Sequence, residues 1–163
     1  MTHTVLIRPI QSGDNIALAQ IIRKVLEEYG ANHPSTVYFD DTTDHLFELF
    51  KATPLSHYMV AEKNGKIMGG AGIFPTEGLP KHTCELVKMY LMPEARGTGL
   101  GKQMINSCIE LAKEKGFQQM YLETMPELKK AISVYEKFGF AFLKGPMGNS
   151  GHNGCDIWML KIL

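Results

Sequence analysis

The stretch Leu91–Lys102, which reads LMPEARGTGLGK, joins an apolar segment typical of a strand to an amphipathic segment typical of a helix. Three glycines at alternate positions let its backbone approach a ligand closely. The start of the helix supplies free N–H groups and a partial positive charge. Arg96 and Lys102 add full charges on either side. The stretch therefore predicts an anion-binding loop between a strand and a helix.

Two common nucleotide motifs do not fit this loop. A Walker A loop needs a glycine five positions before its Gly-Lys pair and a Ser or Thr after it, and here Arg96 and Gln103 occupy those positions. The dinucleotide fingerprint needs glycines at relative positions 1, 3 and 6, and counting from Gly97 the sixth position is Lys102. Glu123 does stand where a ribose-binding acid is sought. These mismatches disfavour a Rossmann-type nucleotide binder, which stays only as a lesser alternative.

Outward from the loop, the patterns predict one α/β domain over residues 1–163 with a mixed sheet. Asn64-Gly65 between two apolar stretches is a strong hairpin signal. One helix is predicted between Ser12 and Gly30, and a short one around Leu46–Phe50. Two more are predicted over Leu100–Ala112 and Glu127–Phe138. The predicted strands are Thr4–Arg8, His57–Lys63, Lys66–Phe74, Thr83–Met92, Gln119–Thr124, Gly139–Lys144 and Cys155–Ile162.

Composition narrows the classes of partner. Seventeen Lys and Arg balance seventeen Asp and Glu, so net charge attracts neither nucleic acid nor an acidic membrane. No apolar run reaches the length of about 18 residues that spans a bilayer, and the first residues lack signal-peptide features. Three scattered cysteines and no metal-like spacing argue against a disulfide framework or a metal site. We expect a cytoplasmic domain with no nucleic-acid, membrane or metal partner.

Two motifs resemble those of a known family. Arg96–Gly101 (RGTGLG) is similar to the Arg/Gln-x-x-Gly-x-Gly/Ala signature of the GNAT superfamily of acyl-CoA N-acyltransferases, and Ala131–Phe140 (AISVYEKFGF) resembles its second signature. The resemblance covers nearly the whole chain and is weakest over Ala31–Pro54. It implies a mixed central sheet of about seven strands flanked by about four helices, splayed between the fourth and fifth strands. It also implies an acetyl-CoA-dependent N-acetyltransferase, in a family where homodimers are common.

The resemblance further implies where acetyl-CoA binds. Its pyrophosphate would lie on the loop amides, and its pantetheine arm would run between the fourth and fifth strands. An amide near Leu91 would polarise the thioester carbonyl. Leu128 stands where many members carry a cofactor-contacting Asn, so Thr124 or Lys130 would replace that contact. The implied cofactor-binding residues are Leu91, Met92, Arg96, Gly97, Thr98, Gly99, Leu100, Gly101, Lys102, Thr124 and Lys130.

Two side chains are implied to be catalytic. Tyr135 matches the family tyrosine near the thioester sulfur, as a general acid or hydrogen-bond donor, with a tyrosine merely packed on the sheet as the alternative. Glu85 resembles the general-base glutamate of histone-type members, with a surface or salt-bridged glutamate as the alternative. Strict alternation along the strand puts Glu85 on the same face as Val87, Met89 and Leu91.

The acceptor is expected to enter between Ala31–Pro54 and the glycine-rich loop Gly145–Gly154. A primary amine of a small molecule is the first choice, and a protein N-terminus or lysine is the second. A non-catalytic acyl-CoA sensor with the same fold is the alternative from another class. The resemblance also implies direct transfer of the acyl group, without a cysteine intermediate.

Two features near the expected acceptor entrance each have two interpretations. His152 is expected to be a solvent-exposed loop histidine, with a position facing the acceptor as the alternative. Asp40, Asp41 and Asp44 could attract a cationic amine, but a helix N-terminal region that complements its dipole is slightly favoured.

Overall fold

The structure is a computed structural model that describes residues 4–163. Those residues form one seven-stranded sheet in the order β1-β2-β3-β4-β5-β7-β6. The strands are β1 Leu6–Pro9, β2 His57–Lys63, β3 Lys66–Phe74, β4 Thr83–Leu91, β5 Gln119–Thr124, β6 Ala141–Phe142 and β7 Ile157–Ile162. The α-helices are α1 Asn15–Glu28, α2 Leu46–Ala52, α3 Leu100–Glu114 and α4 Lys129–Lys137. None of the helices in this range is long and apolar enough to cross a membrane.

The pairing of β4 with β5 makes the sheet mixed. These two strands run parallel, whereas the other neighbouring strands of the described residues pair antiparallel. The parallel pairing is limited to Thr83–Glu85 against Gln119–Tyr121. Beyond Glu85 the two strands separate and leave a cleft between them. The predicted mixed sheet, with its splay between the fourth and fifth strands, is confirmed.

Apolar side chains on both faces of the sheet build two cores. One core packs α3 and α4 against the sheet, with Leu86, Met104 and Leu122 among its buried members. The other packs α1 and α2, with Leu26 and Phe50 among its members. Each helix buries one apolar stripe, as the helical spacing of its apolar residues predicted.

A β-bulge at Lys88 interrupts β4. Gly70 pairs with Tyr90 and Gly72 pairs with Val87, so β4 carries one residue more than β3 over this interval. Lys88 adopts a φ of 51°, in the left-handed region. The bulge is held from β2, two strands away, because the Tyr58 hydroxyl donates to the Lys88 carbonyl at 2.8 Å.

The bulge reverses which face the following residues present. Val87 and Tyr90 pack in the core on the α1 side, whereas Met89 and Leu91 pack in the core on the α3 side. The prediction that Glu85 shares a face with Met89 and Leu91 is therefore wrong. Strict alternation fails here because the extra residue shifts the two-residue period by one position.

Several element ends differ from those predicted. β6 covers two residues rather than Gly139–Lys144, because only these two pair with β7. Cys155 lies before β7 instead of within it, and α4 begins at Lys129 rather than Glu127. Pro9 belongs to β1, which is tolerated because β1 is an edge strand and needs no second set of donors.

Candidate active site

A cavity of about 450 Å³ lies where β4 and β5 separate. Its wall includes both strands, the loop before α3 and the first turns of α4. Most residues predicted to bind the cofactor line it, together with Tyr135. These cavity residues are Leu91, Arg96, Gly97, Gly99, Gly101, Lys102, Thr124 and Lys130.

The backbone of the loop before α3 needs glycine at two points. Gly97 and Gly99 have φ values of 73° and 84°, which L side chains rarely adopt. Gly99 is the N-cap of α3, so the first turn of a fifteen-residue helix opens beside the cavity. Space does not restrict these positions, because a Cβ at either would have nothing within 4 Å. The requirement is conformational, and it presents free amides at a helix start, as an anion site needs.

Three predicted cofactor residues are absent from the cavity wall, and two of them have local partners. The Met92 amide donates to the Met68 carbonyl at 2.8 Å. The Thr98 hydroxyl donates to the Ala95 carbonyl at 2.6 Å. Leu100 is 4% exposed and packs in the core. Their contacts to a cofactor stay a prediction.

Arg96 joins three elements at the cavity wall. Its guanidinium lies 2.7 Å from a Glu28 carboxylate oxygen and donates to the Tyr29 hydroxyl at 3.0 Å. A third contact goes to the Leu91 carbonyl at 3.2 Å. Glu28 thus balances much of its charge. Lys102 and Lys130 line the cavity without an ion pair inside residues 4–163, so both remain available to an anion near the loop.

Tyr135 is 7% exposed and packs edge-on against Phe140, with ring centroids 5.9 Å apart. It also lines the cavity. Burial raises the pKa of its hydroxyl, so Tyr135 stays protonated at neutral pH. Tyr135 is therefore packed in the core and also lines the cavity. Its hydroxyl can act as a proton donor.

Glu85 is 4% exposed, so the surface-glutamate alternative is wrong. Its carboxylate accepts a hydrogen bond from the Thr76 hydroxyl at 2.6 Å. Burial raises its pKa to about 7, and the charge of Glu123 acts in the same direction. The Thr76 hydrogen bond and the charges of His152 and Lys88 act in the opposite direction. A carboxylate with this pKa can take up a proton near neutral pH.

Glu123 connects the cavity to the loop between β6 and β7. It lines the cavity, and its side chain is 4% exposed. One carboxylate oxygen accepts from the Tyr121 hydroxyl at 2.7 Å, and the other accepts from the Ser150 hydroxyl at 2.5 Å. The Tyr121 hydroxyl in turn accepts from the Met147 amide at 3.0 Å. These bonds fix the loop against β5.

His152 completes this polar cluster. Its side chain is 12% exposed, and Nε2 lies 2.5 Å from an Asp40 carboxylate oxygen, so the expectation of a solvent-exposed histidine is wrong. Its Nδ1 lies 3.9 Å from Glu123. Burial acts to raise the pKa of Asp40, but the hydrogen bond to His152 and the charges of His152 and Lys88 hold it below its usual value. The two predicted acceptor segments therefore meet through Asp40 and His152.

The other acidic residues of the Ala31–Pro54 segment serve elsewhere. Asp44 pairs with Arg23 of α1 at 2.6 Å, and this pair lies at the protein surface. Nothing in the structure links Asp41 to the cleft. Of the three aspartates, Asp40 is the one that contacts the polar cluster, through His152.

Sequence reasoning missed Glu123 as an acceptor-side residue, although a usable signal existed. Glu123 follows Tyr121 by two positions, and Tyr121 pairs with Glu85, so alternation alone places both carboxylates on one face. The contacts of Thr76, Ser150 and Asp40 carry no such signal, because they come from segments far apart in the chain.

Two further observations bear on the chemistry. Within residues 4–163, no group of three or more His, Cys, Asp or Glu side chains could hold a metal ion. All three cysteines are buried, and burial raises the pKa of Cys84, Cys108 and Cys155 to about 12. Protonated thiols are poor nucleophiles, which favours direct acyl transfer.

Comparison with known proteins identifies the family. Residues 19–140 match the model of the acetyltransferase (GNAT) family. A protein of Escherichia coli K12 named uncharacterized N-acetyltransferase YjgM is 41% identical over 152 residues, which cover 92% of this chain and 90% of YjgM. A putative [ribosomal protein bS18]-alanine N-acetyltransferase of Bacillus subtilis is 28% identical over 72% of this chain and 78% of its own. Thialysine N-epsilon-acetyltransferase of Sus scrofa is 29% identical over 83% and 84%.

Solved structures share the fold. A GNAT-family acetyltransferase from Staphylococcus aureus Mu50 superposes with a TM-score of 0.85 at 17% identity, covering 98% of this chain and 99% of its own. The putative acetyltransferase yncA of Salmonella typhimurium, solved with acetyl-CoA, has a TM-score of 0.73 at 20% identity, covering 98% and 94%. With the family model matched over most of its length and YjgM 41% identical, the chain belongs to the acetyltransferase (GNAT) family and is an N-acetyltransferase.

Proposed function

We propose that this N-acetyltransferase moves the acetyl group of acetyl-CoA directly to the primary amine of a small molecule. One observation carries the proposal. A single cavity has a glycine-rich helix start with free cations at one end and Glu123, from a cluster of buried carboxylates, at the other. Such a cavity can take an anionic carrier of the acetyl group from one side and a cationic amine from the other.

The loop end of the cavity suits the phosphates of CoA. Amides at the start of α3 and the ammonium groups of Lys102 and Lys130 supply hydrogen-bond donors and positive charge. Thr124 and Leu128 also line the cavity, so Leu128 offers an apolar contact where many members carry Asn. Acetyl-CoA, when bound, supplies an acetyl group activated as a thioester.

The carboxylate end handles the proton of the amine. An alkyl amine with a pKa near 10 is mostly protonated at neutral pH and cannot attack until it loses a proton. Glu85 would take that proton, directly or through water, as the amine nitrogen bonds to the acetyl carbon and the carbon–sulfur bond breaks. The Tyr135 hydroxyl would donate its proton to the departing sulfur. The proposed products are an N-acetyl amine and free CoA.

The enclosure of the acceptor side supports a small acceptor. The Asp40–His152 contact joins the 31–54 segment to the 145–154 loop, and both segments are anchored by buried polar groups. A thialysine acetyltransferase by its name acts on a small amine, whereas the bS18-alanine enzyme by its name acts on a protein. A protein N-terminus is therefore the second candidate, favoured by that relative.

The test is release of free CoA thiol from acetyl-CoA with a panel of small primary amines and of peptides with free N-termini. We expect turnover with at least one small amine and slower turnover with peptides. Turnover with peptides alone would favour the second candidate. Acetyl-CoA binding without turnover on any amine would favour a sensor and contradict the proposal.

A further inference from the structure

Lys88 occupies an unusual place for a lysine. It lies at the bulge of β4, it is half-buried, and it lines the cavity. Within residues 4–163, its ammonium forms neither an ion pair nor a hydrogen bond. The arginines of the same chain are paired: Arg8 with Asp14 and Glu62, Arg23 with Asp44 and Arg96 with Glu28.

The surroundings of Lys88 place its ammonium on the acceptor side. Burial lowers the pKa of Lys88, whereas the charges of Asp40 and Glu85 act to raise it. Lys88 in turn acts to lower the pKa of both carboxyl groups. Within residues 4–163, Lys88 forms no ion pair within 4 Å with Asp40 or with Glu85. The ammonium therefore belongs to a half-buried side chain on the cavity wall, with no anion beside it, and an anionic ligand group in the cavity would stabilise it.

Charges of opposite sign line the same cavity. Lys88 stands on β4, and Glu123 stands on β5, beyond the point where these strands separate. Glu85 lies behind them, opposite Tyr121, with its carboxyl group nearly buried. A ligand that reaches this end of the cavity therefore meets one cation and at least one carboxylate.

We propose that the acceptor is an amino carboxylate, a molecule that carries both a primary amine and a carboxylate group. Lys88 binds the carboxylate, while Glu123 lies on the cavity wall near the amine and Glu85 lies behind that wall. This inference rests on the proposed function and names the substrate class of the same site. A carboxylate suits the site better than a phosphate because one lysine, with no helix start beside it, offers a single charge-assisted contact.

The test compares free L-amino acids with their matching carboxamides as acceptors, because the two differ in the carboxylate. Initial rates of CoA release are measured at saturating acetyl-CoA for the wild type and for Lys88→Met. Methionine keeps the unbranched side chain, shorter by the terminal nitrogen, and carries the same backbone strain at a φ of 51°. Lys137→Met, an exposed substitution on α4, is the matched control.

We expect the wild type to prefer amino acids over carboxamides by about 10- to 100-fold in kcat/KM, the effect of one charge-assisted contact. Lys88→Met should raise the KM for amino acids by a similar factor. The KM for carboxamides and for acetyl-CoA should stay within about twofold, and Lys137→Met should behave as the wild type.

Equal kcat/KM for amino acids and carboxamides in the wild type would overturn the inference, even if Lys88→Met failed to fold. A rise in the KM for acetyl-CoA in Lys88→Met, with the preference intact, would assign Lys88 to the cofactor and would also overturn it. These outcomes leave the proposed function standing. By contrast, the absence of CoA release with every amine would remove the proposed function itself and this inference with it.

Discussion

The two ends of the cavity are built in different ways. The loop end comes from one continuous stretch, residues 96–102, whose backbone amides are the binding groups of the proposed function. The carboxylate end comes from side chains of separate segments, with Asp40, Glu85, Glu123 and His152 as its main members. A backbone site depends on local conformation, whereas a side-chain site depends on the whole fold. Substitutions at the two ends should therefore affect different substrates.

The largest expected effect is at Gly99. Gly99→Asp should weaken acetyl-CoA binding by at least about 100-fold, because it adds strain at a φ of 84° and a negative charge beside the phosphates. Gly99→Asn is the matched control, since Asn tolerates the left-handed conformation and carries no charge. Isothermal titration with acetyl-CoA measures both variants. Equal affinities for Asp and Asn would show that no anion binds there.

The next largest effect is expected at Tyr135, which lines the cavity. Tyr135→Phe should lower kcat by about 100-fold because the leaving sulfur loses its proton donor. The affinity for acetyl-CoA should change little, since the aromatic ring and its contact with Phe140 remain. Stopped-flow or steady-state CoA release, together with titration of acetyl-CoA, separates the two quantities. An unchanged kcat would remove Tyr135 from the chemistry.

Weakening the contact between the two acceptor segments should change the KM for the amine alone. Asp40→Asn weakens the hydrogen bond to His152 and should raise the KM for the amine about 10-fold, the effect of losing one charge-assisted hydrogen bond. The KM for acetyl-CoA should stay constant. Asp156→Asn, an exposed acid beside β7, is the control. Parallel changes in both KM values would contradict the proposal that the amine and acetyl-CoA bind at different ends of the cavity.

The buried carboxyl group of Glu85 should also be detectable in the stability of the protein. Its raised pKa means that the folded protein holds a proton that the unfolded chain releases between about pH 4.5 and 7. Wild-type stability is therefore lost as the pH rises through this interval. Glu85→Gln should gain stability relative to the wild type by on the order of 3 kcal/mol between pH 4 and pH 8.

Urea denaturation at both pH values measures this difference. Glu136→Gln, which replaces an exposed glutamate on α4, should show none of it. A constant difference between Glu85→Gln and the wild type at the two pH values would mean that the carboxyl group of Glu85 is not perturbed.

The same contrast explains what the sequence could predict. The succession of strands and helices along the chain and the glycine-rich loop follow from local patterns, because glycine spacing and helical periodicity act within a few residues. The place of Tyr135 at the cavity came from the resemblance of Ala131–Phe140 to a family signature. The bulge at Lys88 left no such pattern, so the face of Leu91 was predicted wrongly. The burial of His152 depends on Asp40, 112 positions away, and on the path of a loop that is mostly turns.

Glu85 provides the most direct test of the account, since its proton chemistry is the step that the carboxylate end must perform. The measurement is the pH dependence of kcat for the wild type and Glu85→Gln on one small amine at saturating acetyl-CoA. The account predicts that wild-type kcat rises with pH through about 7, as Glu85 ionises. Glu85→Gln should be slower at pH 7 by about 10- to 100-fold and should recover in part above pH 9, where free amine is abundant. A flat wild-type profile, or a variant with the wild-type profile, would contradict it.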